Sequence, residues 1–323
     1  MLTYLVRRLA LALATTAAVV VLTFALVHLA PGEPFLGGAE GRFVPPETVS
    51  RLRERFGLDR PLAVQFVRYA ANLARGDLGE SFARHRPVAD VLREALPNTF
   101  LLGGAALGLS LLLGLGRGIV QAARAGTWAD SALGSAALVL YSVPSFWLGL
   151  VLLLVFAEWL HWLPGTGMSD VALTAPAWSL RHALDVARHL VLPATTLALV
   201  NAAAIARFHR AAMLDALGAG FVRAARARGL GERRVLLRHA LRSALAPAIT
   251  LAGLSVPALL TGSVLVESVF GWPGMGRVAY DAIYARDYDV ITAVAVVAGV
   301  LVALGTLLAD LGVAAADPRV RRT

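Results

Sequence analysis

The stretch VITAVAVVAGVLVALGTLLADL, residues 290–311, contains 22 residues, of which only Asp310 is charged. A helix rises 1.5 Å per residue, so about 20 apolar residues cross a bilayer core roughly 30 Å thick. Asn201 lies inside one further segment of this kind, at about 188–208, and Arg207 lies at its end. Four others carry fewer polar residues, at about 9–29, 99–120, 132–157 and 247–267. The sequence therefore predicts an all-α, polytopic membrane protein with six transmembrane helices.

The composition agrees with a membrane protein and excludes several chemistries. Hydrophobic residues make up 58% of the 323 residues and charged residues 16%, against about 25% charged in soluble domains. The chain has no cysteine, which excludes disulfides and thiolate metal sites. All 30 basic residues are arginine, so a Walker A lysine and a Schiff-base lysine are both absent. The seven histidines show no HExxH spacing, so no metal site is predicted.

The first span allows two interpretations. Arg7 and Arg8 precede an apolar run, as in the first part of a signal peptide. The run has about 21 residues, however, and the apolar region of a signal peptide has 7–15. No A-x-A cleavage pattern follows the apolar run before Pro31. These features favour an uncleaved anchor.

The arginines indicate the topology, because short cytoplasmic loops are enriched in Lys and Arg. In chain order, spans 1 to 6 are 9–29, 99–120, 132–157, 188–208, 247–267 and 290–311. The arginines concentrate before span 1, between spans 2 and 3, between spans 4 and 5, and after span 6: Arg7 and Arg8, Arg117 and Arg124, the nine from Arg207 to Arg242, and the tail 317–322. These places share one side of the membrane only if both termini are cytoplasmic. The external segments are then about 31–98, 158–187 and 268–289.

The long external segment 31–98 nearly balances ten arginines with nine acidic residues. Proline and glycine positions predict helices at 47–56 and 61–74, with Gly57 and Gly76 as stops. We expect a small helical external segment. The predicted division is an N-terminal transmembrane helix at 1–30, this segment at 31–98, and a five-helix core at 99–323 with a cytoplasmic loop at about 210–246.

The loop contains the most informative stretch, FVRAARARGLGERR at residues 221–234. Alanine and arginine favour helix, and Gly229 can adopt the left-handed conformation that ends one. Glu232 then falls in the first turn of a second helix, where a carboxylate suits the helix dipole. That helix would carry a basic stripe and an adjoining apolar stripe: Arg234, Arg238 and Arg242 beside Leu237, Leu241 and Ala244 or Leu245.

Two interpretations of this stretch remain open on physical grounds alone. It could lie in the headgroup region as an amphipathic helix, or it could be a rigid docking element for a cytoplasmic partner. Nucleic-acid binding is not expected, because the arginines follow the membrane boundary and no aromatic platform accompanies them.

The same stretch resembles the "EAA" loop of permease subunits of binding-protein-dependent ABC importers, in particular the dipeptide/oligopeptide/nickel branch. Arg223-Ala224-Ala225 precede Gly229 at the spacing of the pattern E-A-A-x-x-x-G, and residues 239–242 stand where I-x-L-P is expected. The glutamate and the proline of the general pattern are both replaced. Three further motifs resemble the family: 4–9, 267–277 with 286–288, and 317–321.

The resemblance implies a multi-pass permease subunit of the inner membrane, forming half of a translocation pathway for peptides or a related small solute. The implied partners are a second permease subunit, expected to be a paralogue, two cytoplasmic ATPase subunits that bind ATP and Mg²⁺, and an extracytoplasmic substrate-binding protein. The chain itself would not be an enzyme and would hold no cofactor. The resemblance assigns coupling to the ATPase to Phe221, Arg223, Ala224, Ala225, Arg226, Arg228, Gly229, Leu230, Glu232 and Arg233.

Three further residues are candidates for the pathway or a gate. Asn201 lies deep in span 4, where interhelical bonding is an equal alternative. Glu267 lies near a span end, where hydration is easy, so capping or interhelical bonding is favoured over substrate contact. Trp272 belongs to a glycine- and proline-rich turn that would form an external gate or docking surface, or would pack on span 5, which is the favoured reading.

Two other functions would leave recognisable features in the sequence. A self-contained secondary transporter or channel should show an inverted repeat or buried charges along a path, and neither is evident. An intramembrane enzyme lacks a Ser/His, paired-Asp or HExxH constellation within the spans.

Overall fold

A computed structural model describes residues 2–29, 59–173, 176–245 and 263–316. Within these ranges the chain is helical apart from loops and one antiparallel hairpin, β1 (Glu80–Ser81) and β2 (Arg86–Pro87), in which Ser81 faces Arg86. The helices are α1 (Leu2–Leu29), α2 (Leu62–Ala74), α3 (Val88–Ala123), α4 (Trp128–Ser142), α5 (Ser145–Leu153), α6 (Leu180–Gly218), α7 (Gly220–Ala227), α8 (Glu232–Arg234), α9 (Val264–Val269), α10 (Met275–Ala285) and α11 (Tyr288–Ala316).

Four described helices are long and apolar enough to cross a membrane: α3, α6, and parts of α1 and α11 at Ala10–Val27 and Tyr288–Leu307. A fifth crossing would be formed by α4 and α5 together with the π-helical turn Leu154–Trp159. Most of the predicted span 247–267 lies outside the described residues, as do the predicted helix 47–56, the tail 317–322 and the Asp310 side chain.

The predicted continuous span 132–157 is wrong, because α4 and α5 meet at an angle of 101°. Pro144 stands at the break as the residue preceding α5, and Val143 before it is extended at φ −83° and ψ 130°. Proline disfavours helical backbone in the preceding residue and supplies no N–H for the helix ladder. An apolar run of the right length therefore contains two helical directions.

The α2 helix and its stop follow the sequence prediction. It begins after Pro61 and ends at Ala74, and Gly76 follows with φ +79°. In contrast, α3 and α6 extend well beyond the predicted spans 99–120 and 188–208. Each contains an internal proline, Pro97 and Pro193 respectively.

The chain forms two compact units. The first comprises Phe100–Trp272 and Leu304–Thr323, and the second comprises Leu2–Thr99 and Pro273–Ala303. In the second unit, the start of α3 packs with α10 and the start of α11 through a buried apolar cluster. The buried Asp287 carboxylate joins the hairpin to this cluster by accepting hydrogen bonds from Ser81 Oγ at 2.6 Å and from the Ala83 amide at 3.3 Å.

The first unit is organised around α6, against which α3, α4, α5 and α7 pack. One buried cluster lies beside the middle of α6 and includes Phe270 and Trp272. Another lies at its end and includes Met213, Val222 and Val235. This second cluster positions the basic stretch at residues 221–234.

Candidate functional site

The candidate site is a basic knob, which we define as residues 220–234, formed by α7, a tight turn and α8. One face of α7 is closed: Val222 and Ala225, three residues apart, are 0% and 4% exposed. The other face is open, with Phe221 46% exposed and the arginines on the surface. Spacing of i, i+3 places two side chains on the same helix face, so α7 has one anchored face and one free face.

The turn of the knob is a Schellman motif. Gly229 has φ +78°, its amide donates to the Arg226 carbonyl at 2.9 Å, and the Leu230 amide donates to the Ala225 carbonyl at 3.3 Å. These two bonds satisfy carbonyls that the end of α7 would otherwise leave unpaired. The predicted left-handed role of Gly229 is confirmed.

An ion pair joins the two helices of the knob across this turn. Arg226 Nε donates to Glu232 Oε1 at 2.7 Å, and Arg226 Nη2 donates to Glu232 Oε2 at 3.1 Å. The hydrogen bonds from Arg226 lower the pKa of the Glu232 carboxyl. Glu232 lies in the first turn of α8, as predicted. Arg226 is therefore engaged within the chain rather than presented to a partner.

Four other arginines of the knob are exposed and form no ion pair with any residue in the described part of the chain: Arg223, Arg228, Arg233 and Arg234. Ala224 lies on the same open face, whereas Ala225 is buried against the cluster at the end of α6. Of the two alanines that the resemblance assigns to ATPase coupling, only Ala224 is exposed.

The helix after the knob differs from the predicted amphipathic helix. Val235–Ala240 forms a π-helical turn, and the buried residues are Val235, Ala240 and Ala244. The predicted apolar stripe included Leu237, which is 44% exposed. A π-turn inserts an extra residue per turn and so rotates the following side chains around the helix axis. The π-helical turn continues directly from the knob, and its first residue, Val235, packs in the buried cluster at the end of α6.

A charged pair that the sequence analysis missed lies beside the knob's supporting helix. Asp130, at the start of α4 and 7% exposed, accepts from Arg210 Nε at 2.8 Å and from Arg210 Nη2 at 2.6 Å. Its Oδ2 also accepts from the Gly126 amide at 3.1 Å. The signal was available, since opposite charges stand at neighbouring ends of two predicted spans. The pair fixes α4 to α6.

The three pathway candidates occupy different environments. Asn201 Nδ2 donates to the Leu197 carbonyl of its own helix at 2.8 Å. Glu267 is buried at 0% exposure rather than hydrated, and it accepts from Ser263 Oγ at 2.8 Å, a bond to the residue that precedes α9. Trp272 is 0% exposed in the cluster beside the middle of α6, which supports the packing interpretation over the external gate.

The knob is suited to docking. It presents guanidinium groups that have no ion-pair partner among the described residues, each a planar set of donors, and the opposite face of α7 is fixed to the end of α6. Such a surface can form charge-assisted hydrogen bonds to carboxylates or backbone carbonyls of a partner.

Two family models match the chain. A model described as "Binding-protein-dependent transport system inner membrane component" matches residues 91–322. A model for the N-terminal part of such a membrane component matches residues 1–103.

Curated relatives match over nearly their whole length. The chain is 38% identical over 333 residues to the di/tripeptide transport system permease protein DppB of Pseudomonas aeruginosa, covering 99% of both chains. It is 35% identical over 318 residues to the oligopeptide transport system permease protein AppB of Bacillus subtilis, covering 98% of both. It is 37% identical over 321 residues to the glutathione transport system permease protein GsiC of Pectobacterium atrosepticum, covering 99% of both.

Two solved structures share the fold. An inward-facing structure of the MetNI methionine ABC transporter matches with a TM-score of 0.56 at 19% identity, covering 70% of this chain and 96% of that chain. An amino acid ABC transporter matches with a TM-score of 0.50 at 18% identity, covering 69% and 92% respectively.

Proposed function

The chain belongs to the inner membrane components of binding-protein-dependent transport systems, and from this membership we propose that it forms half of the translocation pathway of an ABC importer for peptides. It is a permease subunit of the inner membrane and works with other ABC components. The peptide cargo is proposed because di/tripeptides, oligopeptides and glutathione, a peptide, stand in the names of full-length relatives.

The proposed partners are a second permease subunit, a paralogue of this chain, two cytoplasmic ATPase subunits and an extracytoplasmic substrate-binding protein. ATP and Mg²⁺ would bind to the ATPase subunits. The absence of lysine supports this division of labour, because a Walker A motif needs its lysine at the β/γ-phosphates. We also propose six spans with both termini in the cytoplasm, which the arginine distribution supports.

The observation that carries the proposal is the basic knob. Its free face carries Arg223, Arg228 and Arg233, and its anchored face packs with the end of α6. A partner that binds the free face would therefore move α6 and the helix after the knob together. Alternating access then follows as a population shift, because an ATPase that binds one state of the knob more tightly favours that state.

Membership of the family supports this function over a self-contained secondary transporter or channel. In a secondary transporter, uptake would proceed without an ATPase, and the knob would be a headgroup-level helix.

The test is charge reversal on the free face. Arg228→Glu should reduce co-purification of the ATPase more than tenfold and stop peptide uptake, because repulsion at a contact costs several kcal/mol. Arg181→Glu is the matched control. It reverses one exposed arginine at the far end of α6, where glutamate suits the helix dipole.

If the Arg228→Glu variant still co-purified with the ATPase at the unchanged level, the assignment of the knob as the ATPase docking surface would be wrong. ATPase-independent uptake by the purified chain would remove the importer function itself.

A further inference from the structure

A cleft of about 410 Å³ in the first unit is lined by α4, α6 and the end of α3. Its two ends differ in polarity. Polar side chains line the end at which Asp130 meets Arg210: Gln121, Asp130, Ser131, Arg207 and Arg210. Apolar residues continue from there along both helices: Gly134, Ala137, Leu138, Tyr141, Ala203 and Ala204.

The polar end has an excess of positive charge. Asp130 neutralises Arg210 through the two-bond ion pair. Arg207 is exposed, lies 5.5 Å from the Phe208 ring centroid, and has no carboxylate partner among the residues the structure describes.

The apolar end is open along a length that suits an acyl chain. Gly134 and Tyr141 are seven residues apart on α4, which corresponds to about 10 Å of helix. Leu138 is 63% exposed and Tyr141 is 59% exposed. The cleft is therefore cationic at one end and apolar over about the next two turns of helix.

We propose that this cleft binds an anionic phospholipid, with its phosphate at Arg207 and an acyl chain along Leu138 and Tyr141. The α6 helix is a candidate span and α4 is part of another. Arg207 lies at the end of the predicted span 188–208, which is where headgroups would give way to acyl chains. A guanidinium matches a phosphate with two parallel hydrogen bonds. Basic pockets between transmembrane helices select acidic headgroups for the same reason.

The experiment uses the complete transporter in bilayers. The chain has no cysteine, so Leu138→Cys gives a single site in this subunit for a fluorophore, in complexes whose other subunits carry no reactive thiol. Brominated acyl chains quench a fluorophore on contact. Phosphatidylglycerol with brominated chains should quench more strongly than phosphatidylcholine with the same chains at equal mole fraction.

Variants of arginine identify the charge responsible. Arg207→Gln should reduce the preference for phosphatidylglycerol about fivefold, the amount expected for one arginine near an anionic headgroup. Arg207→Lys should keep most of the preference. Arg188→Gln is the matched control, because Arg188 is exposed near the opposite end of the same helix.

Three results would overturn the proposal. Equal quenching by both lipids would show that the headgroup is not recognised. Quenching by neither lipid would show that another subunit covers the cleft. Full displacement of the lipid by soluble glycerophosphate would show a site for a small anion, which a transported carboxylate could share. Retained assembly of Arg207→Gln on gel filtration shows that a lost preference is not due to misfolding.

Discussion

Gly229 determines the shape of the knob through its backbone rather than through its surroundings. Its φ is +78°, and no described heavy atom lies within 4 Å of the position that a Cβ would occupy. A side chain at this residue would therefore meet open space but would hold the backbone in a conformation that costs about 1–2 kcal/mol for an L-residue. Gly231, two residues later, has the same open space among the described atoms but an ordinary extended backbone at φ −61°.

This difference gives a matched prediction. Gly229→Val should increase amide exchange in the knob about tenfold, because a β-branched residue is strained in the left-handed region. Gly231→Val adds the same side chain two residues away and should change the exchange little. The measurement is hydrogen exchange of the peptide that covers residues 219–235. Equal acceleration by both variants would contradict the backbone explanation.

The interface between α3 and α6 depends on small residues at particular turns. A Cβ on Gly114 would lie 2.7 Å from Ile205 Cβ, and one on Gly118 would lie 3.0 Å from His209 Cβ. The pair recognisable from sequence as a helix-packing motif, Gly104 and Gly108, has no described atom within 4 Å of either Cβ position. Close helix approach therefore occurs one or more turns beyond that motif.

We expect Gly114→Ala to destabilise the protein and Gly104→Ala not to. At Gly114 the new methyl group overpacks the interface, at a cost of about 1–3 kcal/mol. At Gly104 the same change improves helix propensity without a clash. The midpoint of thermal unfolding in detergent should fall for Gly114→Ala alone. A similar fall for both variants would mean that the contacts of α3 are assigned to the wrong turns.

At the scale of the whole molecule, the topology connects the knob to one side of the membrane. The proposed orientation places residues 220–234 in the cytoplasm and residues 158–187 outside. Two alanines are exposed, Ala227 at the end of α7 and Ala172 in the loop before α6. In the proposed orientation they lie on opposite sides of the membrane. They offer a matched pair of positions in a chain without cysteine.

Ala172→Cys should react with a membrane-impermeant thiol reagent in intact cells from which any outer membrane has been removed or permeabilised. Ala227→Cys should react only after the inner membrane is opened. The expectation follows from the arginine excess around the knob, which retains such loops in the cytoplasm. If Ala227→Cys alone were labelled in unopened cells, the topology would be the reverse of the proposed one. The knob would then not be a cytoplasmic docking surface.

The sequence by itself determined those properties that depend on local chemistry. Apolar length predicts apolar helices long enough to cross a membrane, and Gly229 followed by Glu232 predicts the turn and the start of α8. The sidedness indicated by the arginine positions stays a prediction for the labelling experiment. Each of these depends on a residue and its near neighbours in the chain. The resemblance to the family rests on motifs of the same local kind, and the family matches confirm it.

Only the tertiary structure decided which side chains face inward and which helices touch. The bend at Pro144, the rotation introduced by the π-turn at Val235–Ala240, and the burial of Ala225, Glu267 and Trp272 all depend on packing. The pairing of Asp130 with Arg210 joins residues 80 positions apart. The spacing of apolar residues predicts which face of a helix is buried only while the number of residues per turn stays constant, and the π-turn changes that number. Contacts between residues far apart in the chain depend on how the helices pack, which the local sequence does not encode.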